Sequence, residues 1–249
     1  MRARAGAVVA GVLVAGLAAG GVATSGGAAQ TPRVTGCKSK PGSAVVKNGP
    51  RTRKLVALTF DDGPSAGTAQ LLASLKTANV KATFFPQADK IPARVAVVKR
   101  AFAAGHEFQN HSFTHADLGN GGPEATTELT KASDAIRKAT GYTPCAFRPP
   151  FDSVGSDLVK RARAEGMSTV AWDVSPADYD EPPAADIVAG VLKATRPGSI
   201  IVMHDGEAGG SSTRPNTRKA VPTIISTLKS RGYTFVTVSK LLGYRQTTG

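Results

Sequence analysis

Two of the chain's four histidines fall in His111-Ser112-Phe113-Thr114-His115, so two imidazoles stand four residues apart. On one helical turn they would face the same way and could share a metal ion. Taken alone, the spacing fits a pair of structural histidines equally well. Thr59-Phe60-Asp61-Asp62-Gly63-Pro64 adds what is missing, because an apolar strand runs into two adjacent acids and then a tight turn. The two side chains diverge there, so one acid can bind a metal while the other handles protons. A helix-capping role would explain one aspartate, not two in succession. One Asp and two His around a divalent ion leave a coordination position for water, whose pKa then falls toward ~7.

Hydrolysis also needs an acid for the departing group, and Ile200-Ile201-Val202-Met203-His204-Asp205 delivers a histidine at the end of an apolar strand. His106 follows Gly105, where a helix stops, and is read as structural. Arg148 lies between Ala146-Phe147 and Pro149-Pro150, where rigid turn geometry aims a guanidinium at a carboxylate. These residues point to metal-assisted hydrolysis by Asp61, Asp62, His111, His115 and His204 around one divalent metal. Zinc is the expected ion, and cobalt or nickel also suit such N/O ligands.

The elements that must position these groups are legible as an alternation. Short β-rich runs near 55–61, 82–86, 107–111, 146–150, 168–174, 199–205 and 234–238 predict strands. Helical patterns near 68–78, 92–104, 124–140, 156–164, 185–194 and 217–231 separate them, with Gly105, Gly141 and Gly232 as stops. Strict alternation implies a parallel sheet, and seven units suggest closure into a barrel or near-barrel. Active sites of such barrels form on the loops after the strands, which is where Asp61, Asp62, His111, Arg148, Asp178 and His204 fall.

At 249 residues with 41% hydrophobic content, the chain predicts one catalytic domain. Arg2, Arg4, the apolar run 7–19 and the small residues up to Ala29 read as a secretory signal peptide over 1–29, cleaved after Ala29. The run is too short and glycine-rich to predict a membrane span. Residues 30–53, rich in Gly, Pro, Ser, Lys and Arg, read as a flexible basic linker, and folding is expected over 54–249. Cys37 and Cys145, the two cysteines, are expected to pair in an exported chain. Val34-Thr35-Gly36-Cys37 also resembles a lipobox, and lipidation of Cys37 would exclude that bond. A net charge of +13 suits anionic partners such as cell-wall polymers, while no nucleic-acid motif is present.

Five ordered motifs resemble those of polysaccharide deacetylases with a NodB homology domain. They are Thr59-Phe60-Asp61-Asp62-Gly63, His111-Ser112-Phe113-Thr114-His115, Arg148-Pro149-Pro150-Phe151, Asp178-Tyr179 and Ile201-Val202-Met203-His204. The resemblance covers 54–242 and implies an α/β fold, a distorted (β/α)7 barrel. It implies Asp61 as general base, Asp62, His111 and His115 as metal ligands, and His204 as general acid. Arg148 would partner the base and Asp178 would tune the acid histidine. The backbone N–H of Phe151 would hold the oxyanion, and Tyr179 and Ile201 would line the pocket for the acetyl methyl. The family often has Trp where this chain has Tyr179, an acid where it has Ser175, and Gly where it has Asp152, which is expected to turn toward solvent or a cation. The implied activity is N-deacetylation of N-acetylglucosamine polymers, peptidoglycan or chitin-like, by a secreted or wall-associated enzyme. An acetylxylan esterase using the same site and a non-catalytic wall-binding protein are the alternatives.

Overall fold

The computed structural model describes Gly6 and residues 34–248. The expected signal peptide and its cleavage site, Gly6 apart, lie outside the described residues. Pro32–Gly249 forms one compact unit.

All seven expected strands are present, mostly shorter than the sequence suggests. The central one, β2 (Leu55–Asp61, after β1 at Val34–Lys38), pairs in parallel with β3 (Thr83–Phe85) and β7 (Ile200–His204). β3 continues to β4 (Glu107–Phe108), while β5 (Ala146–Phe147) pairs with β6 (Ser168–Thr169). Single bridges, Asn110 to Phe147 and Val174 to Ile201, join the two groups and close the ring. β8 (Thr234–Phe235) touches only Leu55 and Val56 at the start of β2. Closure through single bridges and one marginal strand is the physical content of the distortion in this (β/α) barrel.

Helices α1 (Thr68–Thr77), α2 (Val95–Ala103), α3 (Pro123–Thr140), α4 (Ser156–Ala164), α5 (Ala184–Ala194) and α6 (Pro215–Ser230) connect the strands; a short α7 (Val238–Leu241) follows β8. The local chemistry explains their ends: α3 opens with Pro123 in its first turn and closes on Gly141 at φ 75°. Strand alternation sorts the core into two layers. Val56, Leu58 and Phe60 of β2 pack outward under the helices with Ile201 and Met203. Ala57 points inward with Phe85, Val170 and Ile200, on the same side as Thr59 and Asp61.

The segment expected to be a flexible linker, 30–53, is part of the barrel where it is described. β1 pairs antiparallel with β9 (Arg245–Thr248). Val46 bridges to Val170 and Asn48 to Ser199, so 46–48 spans the seam between β6 and β7 where the ring is thinnest. Its composition hides this because it is held largely by backbone hydrogen bonds, such as Val46 N–H to Thr169 O at 2.9 Å, with only isolated apolar side chains such as Val46 reaching the core. Cys37 and Cys145 are joined in a disulfide with Cα atoms 5.4 Å apart. The lipid-anchor reading of Cys37 is thereby corrected, since its thiol is consumed and the residue is buried. Among the described residues, no helix is long and apolar enough to cross a membrane.

Candidate active site

Asp62 sits at the turn after β2 with φ 68°, and its Oδ1 faces both motif histidines. The distances are 3.4 Å to His111 Nε2 and 3.2 Å to His115 Nε2, with all three side chains buried. Their ligand atoms lie within 4.8 Å of one another. Oδ1 is buried without a hydrogen-bond partner, a costly state for a carboxylate oxygen unless a cation completes it. Burial would raise the Asp62 pKa, but the two imidazoles hold it well below the usual carboxylate range. His111 Nδ1 lies 2.7 Å from the carbonyl oxygen of Arg148. A carbonyl only accepts, so Nδ1 carries the proton and Nε2 offers its lone pair to a metal. The donor set and the orphaned oxygen fit one divalent ion.

The expected helical turn between the two histidines is absent. β4 ends at Phe108, and the chain reaches His115 through a loop with Ser112 at φ 63° and His115 at φ 65°. Ser112 Oγ accepts from the His115 N–H at 3.0 Å, and the Glu128 carboxylate accepts from the Phe113 and Thr114 N–H groups. Side-chain capping replaces the helical ladder.

Asp61 points into the barrel beside Arg148, whose Nη1 lies 2.7 Å from its Oδ1. Arg148 is fully buried and fills the barrel axis. It donates to Thr59 Oγ1 at 2.8 Å and to the Ala171 carbonyl at 3.2 Å, and stacks 4.0 Å over the Phe85 ring. Burial pushes its pKa below the usual guanidinium value and the Asp61 ion pair opposes that. Asp61 Oδ2 is left 3.9 Å from His111 Nε2, toward the ligand cluster.

At the end of β7, His204 Nδ1 lies 2.8 Å from Asp178 Oδ1, and the His204 N–H donates to Asp178 Oδ2 at 2.9 Å. Thr217 Oγ1 donates to the same oxygen at 2.6 Å, so Asp178, with no exposure, is fully engaged. Burial lowers the His204 pKa, but Asp178 outweighs it and raises it to about 9. Two neighbouring groups complete the floor. Lys90 Nζ donates to the Asp62 carbonyl at 3.1 Å, and Thr68 Oγ1 donates to buried Asp205 Oδ2.

The structure thus brings Asp61, Asp62, His111, His115, Arg148, Asp178 and His204 to one rim. Phe151 and Tyr179 also stand there, 67% and 52% exposed. The Phe151 ring meets His115 edge-on at 4.5 Å, and Tyr179 meets His204 at 5.7 Å. Asp152 is exposed, as expected of a charge that must avoid the site. Ile201 is the exception. It shares a register with outward-facing Leu58, lies in the layer under the helices, and does not line the pocket; the inward position belongs to Val202, paired with Thr59. Period-two alternation read from Asp61 would have found this. Thr217 and Lys90 carried no sequence signal, because their partners are distant in the chain; Thr59 opens the first motif, but its contact with Arg148 was not legible there.

Positive φ clusters at the same rim: Asp62, Ser112, His115, Phe151, Ala177 and Arg214 all adopt it without being glycine. Such backbone costs on the order of 1–3 kcal/mol per residue and persists where surrounding structure over-determines it, commonly at active sites.

Comparison with known proteins places this geometry. A sequence profile described as Polysaccharide deacetylase matches residues 48–170, which include Asp61 through Phe151. A peptidoglycan-N-acetylglucosamine deacetylase of Bacillus cereus is 32% identical over 209 residues, 83% of this chain and 96% of that protein. The chain belongs to the polysaccharide deacetylase family. Peptidoglycan-N-acetylglucosamine deacetylase PgdA of Listeria monocytogenes is 33% identical over 213 residues, 84% of this chain, and the chain spans 44% of its length. The solved structure of the Bc1960 peptidoglycan N-acetylglucosamine deacetylase superposes with a TM-score of 0.76 at 33% identity, covering 80% of this chain and 93% of that one. As a member of that family, the chain carries the Asp-His-His cluster between two hydrogen-bonded pairs, Asp61–Arg148 and His204–Asp178.

Proposed function

We propose that this polysaccharide deacetylase is a secreted or cell-wall-associated, metal-dependent hydrolase that removes N-acetyl groups from N-acetylglucosamine polymers, peptidoglycan or chitin-like. The observation that carries it is the buried, unpartnered Asp62 Oδ1 between His111 and His115, flanked by Asp61–Arg148 and His204–Asp178. The peptidoglycan deacetylases of B. cereus and L. monocytogenes support the substrate class.

In this reading Asp62, His111 and His115 hold one divalent cation, with zinc the expected ion. When bound, the cation supplies a Lewis acid that acidifies water and polarises the acetamide carbonyl. Arg148 fixes Asp61 through Oδ1, so Oδ2 takes the proton of the attacking water. The Phe151 N–H would then hold the developing oxyanion, and the exposed Tyr179 ring would bound the acetyl pocket. Asp178 engages His204 Nδ1, so Nε2 bears the proton passed to the leaving amine as the C–N bond breaks. Acetate and a free amine are released.

Acetate release from chitooligosaccharides, peptidoglycan and acetylxylan by the zinc-loaded protein tests this. Release from an N-acetylglucosamine substrate is expected. Release from acetylxylan alone would make the protein an esterase. Release from none, with metal bound, would leave a wall-binding protein.

A further inference from the structure

Parallel closure sends every strand start and every main helix C-terminus to the end of the barrel opposite the catalytic rim. Hydrogen bonds knit that end together. Lys229 Nζ donates to the Ala78 carbonyl after α1. Lys54 Nζ donates to Arg231 O at 2.9 Å, Arg231 Nη1 to Leu192 O at 2.8 Å, and Arg51 Nη1 to Pro197 O at 2.8 Å. The ends of α1, α5 and α6 therefore meet the segment entering β2.

The charged side chains exposed around this junction are mainly cations. Arg51, Arg53, Lys54, Lys193, Arg196 and Arg231 surround the junction, with Lys76 and Lys229 beside them. Within the contacts that knit the face, the sole carboxylate is Asp173, paired with Arg51 at 2.7 Å. A basic residue in the last turn of a helix answers the helix dipole, which accounts for Lys76, Lys193 and Lys229. Arg231 caps α6 and Lys54 donates to its carbonyl, so helix ends account for these two as well, whereas Arg51, Arg53 and Arg196 lie outside the helices and their caps. The acids, in contrast, gather at the rim: Asp61, Asp62, Asp178, Glu181, Asp205 and Glu207. Eight of the chain's 31 Lys and Arg residues thus stand around this one junction.

We propose that this basic face binds a linear phosphodiester polyanion of the cell wall. Its charges repeat along a chain, matching a field of cations better than any single anion would, and binding gains from counterion release. Because the face lies opposite the rim, a docked domain keeps its active site open to glycan. The inference rests on the wall-associated reading above.

The test uses immobilised poly(glycerol phosphate) as probe, with duplex DNA as a competitor. The wild-type protein should be retained at 50 mM NaCl and released at 500 mM. Arg53→Gln, Lys193→Gln and Arg196→Gln combined should weaken binding at least about tenfold. A second triple, Arg94→Gln, Lys160→Gln and Lys219→Gln, removes the same charge elsewhere and should bind within about twofold of wild type. Acetate release from a soluble chitooligosaccharide, measured on all three proteins, should be unchanged; its absence in every protein would indict the deacetylase reading instead. Equal loss from both triples would reduce the effect to net charge and overturn the proposal. So would no retention of wild type, or a preference for DNA.

Discussion

At the scale of the residue, adjacent Asp61 and Asp62 illustrate how one peptide unit separates two chemistries. Asp61 turns inward to Arg148 at 2.7 Å, and Asp62, at positive φ, turns to the two imidazoles. Asp61→Asn should retain the metal with near wild-type affinity by calorimetry, yet lower kcat by a hundredfold or more, the usual worth of a general base. His111→Ala should lose the metal itself; equal loss of metal in both variants would erase the division. In the proposed mechanism His204 is the matching acid. With Asp178 raising its pKa to about 9, it is protonated at neutral pH, so kcat should fall as pH rises through about 9. The same shift links to stability. A histidine whose folded pKa exceeds its unfolded value of 6.5 stabilises fully below that value, and the contribution is lost as pH rises toward about 9. Asp178→Asn should move both the kinetic limb and the histidine's NMR titration downward.

At the scale of the element, alternation along β2 and β7 decides which residues meet substrate. Ile201 is fully buried beneath the helices, so Ile201→Ala should cost about 2–5 kcal/mol of unfolding free energy, read from denaturant midpoints, and leave kcat nearly unchanged. A selective loss of kcat without loss of stability would return Ile201 to the pocket. The strands themselves were legible, since β-branched runs ending in Asp61 or His204 announce both element and site. So were helix stops such as Gly141. What escaped the sequence was held by long-range polar contacts: the loop that replaces a helical turn at His115, the Thr217 hydroxyl on Asp178, and 46–48 closing the β6–β7 seam. None of these produces a periodic pattern, because each is fixed by a few specific hydrogen bonds rather than by a regular run of buried side chains.

At the scale of the whole molecule, the barrel divides its work between its ends. Chemistry occupies the rim after the strands, while the opposite end holds the structure shut. Cys145 lies just before β5, and Arg148 just after it, so the disulfide and the buried guanidinium sit at opposite ends of one short strand. The bond joins residues 108 apart and fastens β1, which β9 in turn holds as the last described strand. Closing a loop of that length restricts the unfolded chain, a stabilisation of roughly 2–5 kcal/mol. Cys37→Ser with Cys145→Ser should therefore lower Tm by about 4–20 °C, taking ~2–4 °C per kcal/mol for a domain of this size. Metal affinity and kcat at 25 °C should stay within about twofold, since none of Asp62, His111, His115 or Asp61 touches the bond. A parallel drop in metal affinity at temperatures well below the new Tm would show that the two ends are coupled through Arg148, and that its burial along the barrel axis transmits strain from clasp to site.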